Sequence, residues 1–151
     1  MYDARAALRH LRSQAYAGFT RRVRPELGGV LAFLPPRQPL PPEEPILRDR
    51  NALPVSGLVR APEGLFFGVV RQGRVVSWAV AGRERDGLRL ITLETDRQYR
   101  GQGLARQALL ALCAQTPEPL LYLCAPANAA SRRAAEKAGF TLLGQAFPNK
   151  R

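Results

Sequence analysis

A chain of 151 residues with 46% hydrophobic side chains is long enough to bury a core of its own, which excludes a disordered tail and a small disulfide-stapled scaffold. Its net charge is +11, and all but two of its 23 basic residues are arginine, so the surface field favours anionic ligands and disfavours strongly cationic ones. The basic residues run from Arg5 to Arg151 in short clusters only, which ranks nucleic acid well behind smaller anions as a partner.

The first stretch, with Asp3, Arg5, Arg9 and Arg12, has no apolar leader region, and no later segment approaches the ~18 apolar residues of a membrane span. The expectation is a cytoplasmic chain without a membrane partner. Cys113 and Cys124 sit among apolar neighbours at no metal-ligand spacing, so they read as reduced core thiols, with no metal cofactor.

In chain order, Leu8, Leu11 and Ala15 recur at helical spacing between arginines and predict an amphipathic helix over 4–17, with the single histidine, His10, on its surface. Gly28-Gly29 precede a short strand, Val30–Leu34. Pro35, Pro36, Pro39, Pro41, Pro42 and Pro45 then forbid helix or central strand. That loop reads as a stiff surface connector in preference to a wall of an acceptor pocket. Patterning sharpens beyond Pro62: residues 1–61 form a variable part and 65–147 a patterned core, together one domain over 1–151.

Leu65–Arg71, the Gln72-Gly73 turn and 74–82 predict a hairpin, and Asp86-Gly87 turns the chain into a third antiparallel strand over 88–95. Trp78 sits mid-strand as a packing residue. The run 104–114 is apolar on most sides and predicts a helix buried against the sheet, polar chiefly at Arg106 and Gln107. Leu120–Cys124 is a short buried strand, and the strand-helix-strand order implies one parallel crossover. Ala130, Ala134 and Ala138 form a small-residue stripe on the next helix, Gly139 suits its left-handed terminus, and 140–147 predicts a last strand. The fold class is therefore a mixed α/β sheet, mostly antiparallel, with one parallel crossover.

Two places carry chemistry. Gln98-Tyr99-Arg100-Gly101-Gln102-Gly103-Leu104-Ala105 joins a strand to a helix through two glycines, which brings backbone N–H groups to a helix N-terminus where a phosphate can sit. Leu93-Glu94-Thr95 leads into that loop, and strands that splay there offer main-chain groups to an amide-bearing ligand. Asn128-Ala129-Ala130-Ser131 puts a side-chain amide and a hydroxyl at the next helix start, where Asn128 serves either as a cap or as a ligand contact.

Together these segments resemble the GNAT superfamily of acyl-CoA-dependent N-acetyltransferases, over roughly Leu65 to Phe147. Arg100, Gly103 and Ala105 match the family's Arg/Gln-x-x-Gly-x-Gly/Ala loop, while Gln98, Gly101 and Gly103 fit an earlier register. Asn128 to Ser131, followed by Ala135-Glu136-Lys137-Ala138-Gly139-Phe140, is similar to its Asn-x-x-Ser…Tyr-Glu-Lys-x-Gly-Phe signature. The resemblance implies acetyl-CoA as co-substrate. Arg100, Gly101, Gln102, Gly103, Leu104 and Ala105 would hold its pyrophosphate, Leu93, Glu94 and Thr95 its pantetheine arm, and Asn128 and Ser131 would lie beside it.

The implied reaction is direct transfer of an acetyl group to a primary amine of a small molecule or peptide. The usual tyrosine proton donor is replaced by Ala135, which leaves Glu94 as candidate base and Tyr122, or Cys124, as candidate proton donor. The alternative is a domain that binds acyl-CoA without turnover. Family members usually finish with two antiparallel strands, but about eleven residues follow Phe140 here, so the sheet is expected to lack its last strand and to end in an open edge or in a homodimer contact.

Overall fold

The computed structural model describes residues 30–36, 38–48, 64–82, 89–116 and 119–146. The helix expected over 4–17 with His10, both glycine turns at 28–29 and 86–87, the Pro62 boundary and Phe147 lie outside them. The described elements are β1 (Val30–Leu34), β2 (Leu65–Arg71), β3 (Arg74–Ala81), β4 (Arg89–Thr95), α1 (Leu104–Gln115), β5 (Leu120–Cys124), α2 (Ala129–Lys137) and β6 (Thr141–Ala146).

Local chemistry explains the boundaries. Gln72 and Gly73 both take positive φ, +51° and +72°, the mirror-image turn whose twist suits a two-residue hairpin between β2 and β3. Asn128 caps α2, its Oδ1 accepting from the Ser131 N–H at 3.1 Å. At the other end Gly139 has φ +88°. There the Phe140 N–H bonds the Ala135 carbonyl and the Gly139 N–H bonds that of Glu136, which closes the helix in a Schellman motif.

One six-stranded sheet runs β2-β3-β4-β5-β1-β6. Every pairing is antiparallel except β4 with β5, the two strands that α1 connects. The unexpected member is β1. It lies between β5 and β6, pairing Phe33 with Tyr122 on one side and Leu142 on the other. The sheet expected to fall short at its C-terminal end is thus extended by a strand from the first third of the chain, and the patterned core is not confined to residues beyond Pro62.

Apolar burial follows the strand alternation. Phe67, Val69, Ala79, Ile91, Tyr122 and Phe33 face α1 and α2 and join Leu104, Leu109 and Leu112 in one core. Phe66, Val75, Trp78 and Val80 form a second cluster on the other face. A buried leucine of this kind contributes about 1.5–3 kcal/mol, so α1, with six buried apolar side chains, anchors the layer. On α2 the expected alanine stripe is rotated: Ala130 is exposed, and Ala135 and Ala138 are the buried pair. The helix starts at the surface and turns its later face onto β5.

The described part of the proline-rich segment packs over α1 and reaches the edge of the sheet. It ends as a bridge from Leu47 to Gly68 at the outer edge of β2, with both main-chain bonds at 2.8 Å. On the way the Glu43 N–H donates to Gln107 Oε1, Glu43 pairs with Arg106 at 3.2 Å, and Glu44 takes both terminal nitrogens of Arg71, at 2.8 and 3.1 Å. This explains why a glutamine is buried on an otherwise apolar helix.

Candidate acyl-CoA cleft

β4 and β5 pair only over three positions, Arg89 with Leu120 through Ile91 with Tyr122. Beyond that, β4 runs on to Thr95 while β5 is held by β1, so Leu93, Glu94 and Thr95 have no β5 partner among the described residues. The strands diverge, and a cleft of about 310 Å³ opens where they part.

The loop beneath the cleft is built for close backbone approach. Gly101 and Gly103 have φ of +80° and +76°, and a Cβ on either would meet only open space. Gly103 is the first residue of the α1 terminus and supplies no side-chain cap, nor is any acidic residue present in the first turn. The leading N–H groups of α1 therefore point into the cleft without a side-chain acceptor, at the positive end of the helix dipole.

Of the sequence-predicted binding residues, Leu93, Glu94 and Thr95 form one wall and Arg100, Gly101, Gly103, Leu104 and Ala105 the floor. Asn128 and Ser131 close the far side. Gln102 does not line the cleft. Nor does Tyr122, which is only 3% exposed and packs between Phe33 and Phe140, with ring centroids 6.4 and 6.2 Å away. Its burial pushes the phenol far above its ordinary pKa, and a hydrogen bond from Ser131 and the neighbouring Glu94 act on it more weakly. The phenol is neutral at every physiological pH and sits one residue deep to the cleft wall.

Glu94 pairs across strands with Trp78, so its side chain leaves the sheet on the face opposite α1, whereas Tyr122 shares its face with Ile91, beneath the helices. The two candidate catalytic groups therefore flank the divergence from opposite faces. Glu94 Oε1 lies 3.8 Å from Arg100 Nη2, and Arg100 Nε donates to the Thr95 carbonyl at 3.2 Å. Ala135 is fully buried and contributes nothing polar. Burial also raises Cys124, to about 11, so that thiol is protonated as well.

Sequence reasoning missed Arg106, Arg133 and Lys137 as lining residues. Their signal was their position: Arg106 lies in the first turn of a helix that starts at the loop, and Arg133 and Lys137 stand four apart on the helix that Asn128 begins.

The model of the Acetyltransferase (GNAT) family matches residues 30–140, and the chain belongs to that family. Among solved structures, a putative acetyltransferase of the GNAT family from Novosphingobium aromaticivorans is similar, with 25% identity and a TM-score of 0.55 over 75% of this chain and 59% of that one. A GNAT-family acetyltransferase from Colwellia psychrerythraea matches at 22% identity and TM-score 0.45 over 51% of this chain and 31% of its own. A GCN5-related N-acetyltransferase-like protein from Streptococcus suis matches at 28% identity and TM-score 0.46, over 52% of this chain and 32% of its own. This chain thus spans about three fifths of the first structure and about a third of the other two. No curated protein matches it. Among the described residues there is no cluster of potential metal ligands and no helix long and apolar enough to cross a membrane.

Proposed function

We propose that the protein transfers an acetyl group from acetyl-CoA to a primary amine of a small molecule or peptide, by direct attack in a ternary complex. The divergence of β4 from β5 directly above an uncapped, glycine-led helix terminus carries this reading. The pyrophosphate of the co-substrate binds the N–H groups of residues 101–105, and the pantetheine amides pair with the open main chain of Leu93 to Thr95. The thioester then lies between the strands. Glu94, on the face away from the helices, takes the proton of the attacking amine. From the helix side, the Ser131 hydroxyl turns from Tyr122 to give its proton to the departing thiolate and takes one from the Tyr122 phenol in return. With a net charge of +11, neutral or acidic acceptors are favoured over polyamines.

A second reading, a domain that binds acyl-CoA without turnover, is favoured by one observation: Ala135 is buried and apolar where the family carries its tyrosine. Calorimetric titration with acetyl-CoA, followed by thiol release in the presence of an amine library, separates the two. Saturable binding with amine-dependent release supports the transferase. Saturable binding without release supports the binding domain, and no binding sinks both.

A further inference from the structure

The cations of the cleft are not equivalent. Arg100 is engaged by Glu94 and by the Thr95 carbonyl. Arg106 is engaged by Glu43 of the proline-rich connector and, through Nε, by the Lys137 carbonyl at 3.1 Å. Arg132, which does not line the cleft, turns to the Pro126 carbonyl. Arg133 and the Lys137 ammonium are different: both are exposed, both line the cleft, and neither side chain has an acceptor among the described residues.

Four apart on α2, Arg133 and Lys137 stand on one face a helical turn from each other, an arrangement that costs stability unless an anion lies between them. Glu136 lies between them in sequence and makes no ion pair with either. The cleft thus offers two separate anion-binding features. One is the uncapped start of α1, which uses neutral N–H groups and suits a diester such as a pyrophosphate. The other is a pair of free positive charges on α2, beside the first turn of α1, where Arg106 Nε reaches the Lys137 carbonyl; it suits a phosphomonoester, which carries close to two negative charges at neutral pH.

We infer that Arg133 and Lys137 form a specificity site for the 3′-phosphate of coenzyme A, so that the protein distinguishes CoA from 3′-dephospho-CoA. This rests on the acyl-CoA reading of the cleft and adds to it the residues that select the co-substrate. The connector takes part indirectly. By neutralising Arg106, Glu43 leaves the α2 pair as the uncompensated positive charge on that side.

The test is calorimetric titration of the full chain with CoA and with 3′-dephospho-CoA, for the wild type and for the double substitution Arg133→Gln/Lys137→Gln. Both positions are exposed, so the variant is expected to fold. Two partly exposed charge contacts to phosphate correspond to about a tenfold preference for CoA in the wild type. The double substitution removes that preference by weakening CoA while leaving 3′-dephospho-CoA unchanged, and added salt narrows the gap in the wild type alone. Equal affinities in the wild type, or a preference that survives the double substitution, overturn the inference. Binding of neither nucleotide overturns the acyl-CoA reading beneath it as well.

Discussion

At the scale of single residues, Gly103 and Tyr122 bear on how the cleft behaves, and two buried thiols bear on stability. Gly103 is held at φ +76° with open space where a Cβ would stand, so Gly103→Trp starts its side chain without a clash and directs its bulk into the floor of the cleft. The left-handed backbone makes that change cost about 1–2 kcal/mol, less than a folded domain's reserve. The variant is expected to melt cooperatively yet show no heat on titration with acetyl-CoA; unchanged affinity would refute the loop as a phosphate cradle. Tyr122→Phe removes one hydroxyl and keeps the ring between Phe33 and Phe140. Loss of a proton donor predicts a fall in kcat of about 10²-fold or more, with KM for acetyl-CoA preserved. A kcat within twofold of wild type, at about that tolerance, would remove Tyr122 from the mechanism. The buried thiols make a third prediction. Desolvation raises Cys124 to about 11 and Cys113 to about 12, so both stay neutral in the fold after a free thiol, with pKa about 8.5, has ionised in the unfolded chain. Their contribution is complete below that free value and is lost as pH climbs toward the folded values. The urea midpoint should therefore decline above about pH 8.5, and less steeply in Cys113→Ala.

At the scale of elements, β1 is the strand whose role is least apparent from its own residues. Phe33 is 2% exposed and lies directly across from Tyr122. Phe33→Ala should cost about 3–5 kcal/mol by denaturant unfolding and release the ring that holds the candidate proton donor. Smaller loss would mean that β1 is a marginal addition to the sheet. Much else at this scale was legible in the sequence. The hairpin ends at Arg71 and Arg74, the start of α1 at Leu104 and the whole of β5 follow from turn residues, glycines and apolar runs, which are local signals. The loop and Asn128 likewise announced the cleft. What the sequence did not disclose is non-local. Five apolar residues at Val30–Leu34 declare a strand, but nothing in them names partners about ninety positions away. The tilt of α2, which buries Ala135 in place of Ala130, is set by the surface it meets rather than by its own alternation. Arg133 and Lys137 become cleft residues only because β4 and β5 part, which their own spacing does not show.

At the scale of the whole molecule, net charge and ligand binding pull on the same equilibrium. A chain at +11 repels itself, and an anionic co-substrate that binds only the folded state both relieves that strain and adds its own binding free energy. At a hundredfold excess over Kd the added stability is about 2.7 kcal/mol, which for a chain of this size is a rise in Tm of about 5–10 °C. Thermal melts with acetyl-CoA should show it, and melts with acetate alone should not. The position of β1 has a consequence in time as well as in space. During synthesis the β2–β3–β4 meander is complete long before β5 exists, because its pairings span only neighbouring stretches of chain. β1, although made earlier, must wait for Leu120–Cys124 and Thr141–Ala146 before it has anything to pair with. Closing such distant partners is the slow part of folding a sheet. The cleft is therefore completed late: a chain still short of its final helix and strand has the meander, the Leu93–Thr95 wall and the glycine loop, but not the side that Asn128, Ser131, Arg133 and Lys137 supply.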